Sequence, residues 1–179
     1  GYHDSQGTNN GAVYIFTKSG GTWSQTQKMY ASDYASQTNQ YLGLNISMAG
    51  DGSMVVAGAA YSDTGGTDAG AAYIFVKSGG VWPVTETQKI VASDAAADDR
   101  FGWVVATSQN GDRIIVAATY EDTNNSNKGK IYVFDRSNGT WTETRNHDNP
   151  HSVNTSHFGW STAVSSGGGV YLAGVPYDD

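Results

Sequence analysis

Four aspartates recur along this chain at nearly equal intervals, Asp4, Asp63, Asp122 and Asp179, each shortly after one of four tyrosines, Tyr2, Tyr61, Tyr120 and Tyr177. Carboxylates are hard oxygen ligands, so with Asp68 or Asn124 nearby these residues have the chemistry to hold a low-charge cation or to form a ligand-reading rim on a loop. A short carboxylate in a polar loop also caps its own turn by accepting backbone N–H bonds, and that role is the expected one. The acidic run from Asp94 to Asp99 is read in the same way, as a solvated connector. His147, His151 and His157 fall with Asp148 in one Asn- and Ser-rich stretch, but their spacings of four and six match no compact zinc-ligand motif. No metal is therefore expected there. No Ser/His/Asp set follows a strand-turn-helix elbow and no Gly-rich phosphate loop opens a helix, so catalysis is not expected of these residues.

Composition narrows the function classes further. Ten Lys and Arg against 17 Asp and Glu give a net charge of −7, which argues against a nucleic-acid partner, because phosphate binding needs clustered cations. Cysteine is absent, which removes disulfides, thiolate metal sites and thiol nucleophiles. No apolar run approaches the length of a membrane span, and an export signal, if there is one, lies outside this sequence. The 23 glycines follow no Gly-X-Y period and point to many tight turns.

The elements that must position these residues form a repeat. Trp23, Trp82 and Trp141 stand 59 apart, as do Phe16, Phe75 and Phe134. In the copy opening at Phe101, strands are expected over 101–108, 113–119, 130–135 and 140–145, separated by Asn110-Gly111, a longer polar loop over 122–129, and Asn138-Gly139. Asp51-Gly52, Gly20-Gly21, Gly79-Gly80 and Gly167-Gly168 recur at the same turns and suit type I′ hairpins. Val55 to Gly58, Ile114 to Ala117 and Tyr73 to Val76 are continuous apolar runs, the mark of sheets covered on both faces. The fourth strand alternates, and Pro83 in one copy confines it to an edge. A four-stranded meander with two buried faces and a polar outer edge is a β-propeller blade. A β-solenoid or a pair of sandwiches is the second choice, but a solenoid turn is shorter and a sandwich leaves one face polar.

These motifs resemble the FG-GAP repeats, the blades of integrin α-subunit-like propellers. The opening Phe-Gly reads Phe101-Gly102 and Phe158-Gly159, with Tyr41-Leu42 as a weaker version. The closing Gly-Ala-Pro reads Gly58-Ala59-Ala60, Ala117-Ala118-Thr119 and Gly174-Val175-Pro176. Integrin-like blades often carry a calcium loop rich in aspartate. The matching segment here keeps only Asp51, so calcium is possible but not favoured and no cofactor is expected.

The resulting expectation is an all-β chain, one propeller segment over 1–179 with repeats at about 1–40 (partial), 41–100, 101–157 and 158–179 (partial). About three repeats are too few to close a ring, so a longer parent propeller, or a ring built from several copies, is expected. The resemblance implies an extracellular or cell-surface module for adhesion, protein–protein interaction or structural assembly, with other proteins or further blades as partners and no enzymatic activity. The alternatives are a carbohydrate-binding, lectin-like propeller and an accessory propeller of a larger secreted enzyme. Trp23, Trp82 and Trp141 are expected to be buried at equivalent blade positions rather than stacked on sugars. Asn124, Asn138 and Asn154 head the Asn-x-Ser/Thr sequons placed in loops or turns and are the N-glycosylation candidates.

Overall fold

The computed structural model describes residues 8–122, 127–150 and 155–177. Asp4, Asp179, Asn124, Asn154 and His151 lie outside the described residues. Two complete antiparallel sheets are present, each a four-stranded meander. The first comprises β3 (Ile46–Met48), β4 (Met54–Ala59), β5 (Ala71–Val76) and β6 (Gln88–Ile90); the second comprises β7 (Phe101–Thr107), β8 (Arg113–Ala118), β9 (Lys130–Ser137) and β10 (Thr140–Asp148). The hairpin β1 (Val13–Ser19) and β2 (Thr22–Met29) stands where strands three and four of a preceding blade belong. The hairpin β11 (Thr162–Val164) and β12 (Tyr171–Ala173) supplies strands one and two of a following one.

The continuous apolar runs are explained by stacking. In β4, Val55, Ala57 and Ala59 turn toward the β1–β2 hairpin, while Met54 and Val56 turn toward the second sheet. In β8, Ile114, Val116 and Ala118 face back to the first sheet, and Ile115 and Ala117 face on to β11–β12. Both sides of each central strand are therefore removed from water, with each fully buried Val or Ile contributing about 1.5–3 kcal/mol. The inner strands β3, β7 and β11 pack directly on one another, whereas the outer strands β6 and β10 barely meet. Sheets that converge at strand one and splay at strand four are blades ranged about an axis.

The blades are joined through main chain. Gly70 and Phe101 form a parallel bridge, Gly11 and Leu42 form another, and Phe158 donates its N–H to the Lys128 carbonyl beside Gly129. At all three glycines φ is positive, and a β-carbon would fall inside van der Waals contact with the backbone of the facing Phe101, Leu42 or Phe158. Only glycine allows so close an approach. The joint also corrects the opening motif of the first complete copy. Its equivalent of Phe101-Gly102 is Leu42-Gly43, not Tyr41-Leu42: Leu42 is buried, and Gly43 and Gly102 share a left-handed φ of 91° and 92°.

The turns fall into two kinds. Between strands three and four, Gly20-Gly21, Gly79-Gly80 and Asn138-Gly139 have positive φ at both residues, as a type I′ turn requires. Between strands one and two only the second residue does, at Gly52, Gly111 and Gly168. These are wider loops, in which the N–H of Gly52, Gly111 or Gly168 donates to the carbonyl three residues earlier. The width lets neighbouring loops bond to each other: Gly50 N–H donates to Gln109 O (2.8 Å), and Gln109 N–H to Ser166 O (3.1 Å).

Two burial expectations need correction. Trp141 is 1 % exposed, but Trp82 is half-buried and Trp23 is 64 % exposed. The position faces the preceding sheet, so its burial depends on that neighbour. Trp141 has a full blade to lie on, donates Nε1–H to Gly111 O (3.0 Å) and exchanges two hydrogen bonds with the Gln88 side chain. Trp82 packs at the margin of the cluster shared with the two-stranded β1–β2 hairpin, and no described sheet covers Trp23. Pro83 also shortens the outer strand of that copy, so β6 begins only at Gln88. The run from Asp94 to Asp99 is not simply solvated. Asp94 pairs with Lys130 (2.7 Å) and accepts from Tyr132 Oη, and Asp99 is 2 % exposed.

Candidate functional site

Three mostly aromatic positions recur at the end of the inner edge where strand one begins and strand two ends. The first, just before strand one, holds Tyr41, Arg100 and His157; the second holds Leu44, Trp103 and Trp160; the third, just after strand two, holds Tyr61, Tyr120 and Tyr177. One backbone device sets the first two. Tyr41, Arg100 and His157 all have positive φ (54°, 58° and 54°), and the carbonyl of each accepts an N–H bond from the residue three positions on, Leu44, Trp103 or Trp160. That turn reverses the chain and brings side chains of the first and second positions together. Antiparallel pairing of strand two then delivers the tyrosine.

The result is a belt that crosses three consecutive repeats. Tyr41 packs on Tyr61 (5.2 Å between ring centroids), Tyr61 on Trp103 (6.2 Å), Trp103 on Tyr120 (5.2 Å) and Trp160 (5.9 Å), and His157 on Tyr120, Trp160 and Tyr177. Most of the pairs meet edge to face, the arrangement favoured by the ring quadrupole. The Arg100 guanidinium lies over Tyr120 (4.2 Å), Tyr61 (5.0 Å) and Trp103 (5.9 Å), an in-chain cation–π contact that fixes the middle of the belt. The Arg100 Nε is buried with no hydrogen-bond partner among the described residues. In the last, partial repeat Trp160 is 42 % and Tyr177 60 % exposed.

Carboxylates border this belt on the same loops. Asp63 is exposed; its Oδ1 accepts the Asp68 N–H (3.1 Å) and its own N–H donates to Gln37 Oε1. Asp68 is half-buried in a left-handed conformation, and its carbonyl accepts the Arg100 N–H (3.1 Å). Burial, with Asp63 and Asp98 adding repulsion, pushes the Asp68 carboxyl upward against the pull of Arg100. Asp122 is half-buried beside the neighbouring repeat's Asp99. Burial, followed by repulsion from Glu121, Asp122 and Asp94, lifts Asp99 to about 6 even though its Oδ2 accepts the Ala96 N–H. The structure thus places Asp63 and Asp68 together beside Arg100, and Asp122 one repeat away.

The other candidates separate. His147 bonds through Nε2 to Tyr171 Oη (2.6 Å), while His157 Nδ1–H donates to the Thr119 carbonyl (3.0 Å). Among the described residues, no three His, Asp or Glu side chains are grouped to hold a metal ion. Asp51 Oδ1 accepts the Ser53 N–H within its own loop (2.9 Å). Asn138 is exposed at the tip of its hairpin turn.

Several ionisable groups serve to lock blades together. Burial opposes ionisation of Asp33, but hydrogen bonds from Lys89, Gln40 and Tyr73 outweigh it and hold the carboxyl below its usual range. Asp94 is held down in the same way by Lys130 and Tyr132. Burial and the facing aspartates push both tyrosines, Tyr73 and Tyr132, upward. Ser32 and Ser93 each give an N–H and a hydroxyl to one carboxylate of the next blade, Glu86 and Glu143. Serine, aspartate, tyrosine and glutamate therefore recur at each joint.

The motif order, the left-handed Gly after each opening residue and the four-stranded meander all match one repeat family, and its model, described as an FG-GAP repeat, aligns with residues 23–75 and 84–134, more than half of the chain. The chain belongs to the FG-GAP repeat family. No curated protein matches it. The FG-GAP assignment accounts for the Phe-Gly signature: Phe101 packs on Tyr132 (5.3 Å) and Phe134 (6.0 Å) in the inter-blade core, and Gly102 passes over the Ala71 carbonyl where a β-carbon has no room. The belt lies immediately beside this signature. Sequence reasoning registered the period of its tyrosines but not the positions of Arg100, Trp103, His157 and Trp160. The missing signal was the spacing of 57 between Trp103 and Trp160 and between Arg100 and His157.

Proposed function

We propose that this FG-GAP propeller segment works outside the cell or on its surface as a non-catalytic module for adhesion, protein–protein interaction or structural assembly. The observation that carries this reading is the belt: part-exposed rings and carboxylates presented on loops over stacked sheets, the usual setting of a binding site. The perturbed ionisable groups Asp33, Asp94, Tyr73 and Tyr132 are committed to inter-blade bonds, which supports a structural rather than a catalytic use for them. FG-GAP repeats are typical of extracellular and surface proteins, and no helix among the described residues is long and apolar enough to cross a membrane. In a secretory pathway that glycosylates asparagine, Asn138 at its exposed turn is the described sequon residue placed to be modified.

The test is exposure followed by adhesion. Intact cells carrying the native protein are treated with a membrane-impermeant amine label and, separately, with protease. Labelling and cleavage without lysis are expected, together with adhesion of beads coated with the purified chain to those cells or their matrix. Labelling only after lysis, or beads that adhere no better than uncoated ones, refutes the reading.

A further inference from the structure

We propose that Asn138 is a site of spontaneous modification, at which the side-chain amide is lost as ammonia and aspartate and isoaspartate take its place. The reaction needs no partner or ligand beyond water, so it is independent of the surface-module reading. The sequence holds three Asn-Gly pairs, Asn10-Gly11, Asn110-Gly111 and Asn138-Gly139. At such a pair the glycine main-chain nitrogen, once it has given its proton to a base, attacks the asparagine Cγ; the new C–N bond closes a succinimide ring and Nδ2 leaves as ammonia. Water then adds to either ring carbonyl and reopens the ring, giving aspartate when the new C–N bond breaks and isoaspartate when the original peptide bond does. One water is consumed and one ammonia released. Glycine favours the attack because no β-carbon hinders the approach. The fold must supply an asparagine side chain free to turn, a glycine N–H open to base, and room for the ring.

The three pairs differ in all of these. Asn10 is 2 % exposed, its Nδ2 donates to the Tyr34 and Gln37 carbonyls, and Gly11 is buried against the Leu42 backbone. In the wider turn between strands one and two, Gly111 is buried and its N–H donates to Ser108 O (3.0 Å). The Asn110 amide there is held at both ends, Oδ1 accepting from Ser108 Oγ (2.8 Å) and Nδ2 donating to Asp112 Oδ2 (2.7 Å). Asn138 and Gly139 stand at the tip of a type I′ turn, both exposed, with open space around Gly139. Neither the Asn138 side chain nor the Gly139 N–H is hydrogen-bonded among the described residues. This exposure belongs to the turn and not to the end of the chain, because Gly20-Gly21 and Gly79-Gly80, in copies that are followed by another blade, are exposed and open as well. The reaction and N-glycosylation compete for one atom. Nδ2 is both the nitrogen that would carry a glycan and the nitrogen that leaves, and its loss removes the sequon Asn138-Gly139-Thr140 for good.

The experiment incubates the complete chain in mildly alkaline heavy-oxygen water, folded and, alongside, denatured in urea. Digestion in ordinary water at acid pH and mass spectrometry then map the three pairs, and isoaspartate is counted by enzymatic methylation of its free carboxyl. In the folded chain Asn138 is expected to convert at a rate comparable with that in urea, its product carrying heavy oxygen. Asn10 and Asn110 should convert at least about tenfold more slowly, the factor that one or two hydrogen bonds to be broken represents. In urea the three rates should converge, because the local sequence alone then acts. Asn138→Gln should remove the isoaspartate formed in the folded chain. The proposal is overturned if Asn138 stays unconverted in the folded chain over the time in which the denatured chain converts, or if Asn10 or Asn110 converts as fast as Asn138 in the folded chain. A product at Asn138 without heavy oxygen, or an isoaspartate count unchanged by Asn138→Gln, overturns it equally.

Discussion

Replacing Asp99 by asparagine should stabilise this protein at neutral pH and do almost nothing in acid. The Asp99 carboxyl is covered, bordered by the carboxylates of Glu121, Asp122 and Asp94, and raised from 3.8 to about 6. At 1.36 kcal/mol per unit, ionising it in the folded state rather than in the unfolded chain costs at most about 3 kcal/mol. Solvent reaching the surrounding loops screens part of this, leaving about 1–2 kcal/mol. The sign follows from the direction of the shift. Below pH 3.8 the group is protonated in both states and contributes no difference. Between 3.8 and 6 the unfolded chain ionises first, so stability falls as pH rises, and above 6 the loss is complete. The amide of Asp99→Asn would keep an oxygen for the Ala96 N–H while carrying no charge, and the equivalent buried positions in the neighbouring repeats are the neutral Gln40 and Ser156. Urea denaturation of both proteins at about pH 7 and about pH 3.5 measures the effect: the gain at neutral pH should shrink to under about 0.3 kcal/mol in acid. Titration of carboxylates that do not border Asp99, such as Asp33, affects both proteins alike and drops out of the difference. A gain that does not change with pH, or a loss at neutral pH, refutes the reasoning.

Gly70→Ala, which drives a β-carbon into the Phe101 backbone at φ +90°, should cost more than about 3 kcal/mol by thermal or urea melting. Gly52→Ala, at φ +68° with open space around it, should cost only about 1 kcal/mol, the left-handed penalty alone. Trp141→Ala should cost about 3–5 kcal/mol because it empties a position between two sheets, whereas Trp23→Ala should change stability by less than about 0.5 kcal/mol. Calorimetric titration with Ca²⁺ should give the same result for the parent and Asp51→Ala, because the lone carboxylate of that loop is engaged by Ser53; tight binding lost on substitution would overturn this.

The meander was legible in the sequence because its signals are local. Turn pairs such as Asn138-Gly139, apolar runs such as Ile114 to Ala117 and the edge-marking Pro83 each act within a few residues, and strands β7 to β10 fall within a few residues of the expected bounds. What depends on a neighbour was not legible. Equivalent tryptophans at 23, 82 and 141 have the same sequence context but different sheets to lie against, so their burial diverges. Asp94 and Asp99 resemble a solvated linker until the next blade brings Lys130, Tyr132 and Glu121 to them. The belt escaped notice for another reason. Its three positions are defined by backbone geometry, and their occupants change chemical type from copy to copy, Tyr, Arg and His at the first and Leu, Trp and Trp at the second.

The joints between blades carry a consequence for how such a chain changes over generations. At Gly70 and Phe101, at Gly11 and Leu42, and at Gly129 and Phe158, the grip is made by peptide groups and secured by the room a missing β-carbon leaves. Peptide groups are the same in every copy, and the serine, aspartate, tyrosine and glutamate of the joint recur, so each blade offers its neighbour a similar docking surface. A unit that is duplicated, lost or transposed in the gene still arrives with a compatible coupling at both ends. Outer strands and loop tips are then free to diverge, as the slip from a spacing of 59 to 57 in the last copy already records. The ring-facing residues can be rewritten one blade at a time without renegotiating the stack, so one inherited scaffold can acquire a succession of different binding surfaces.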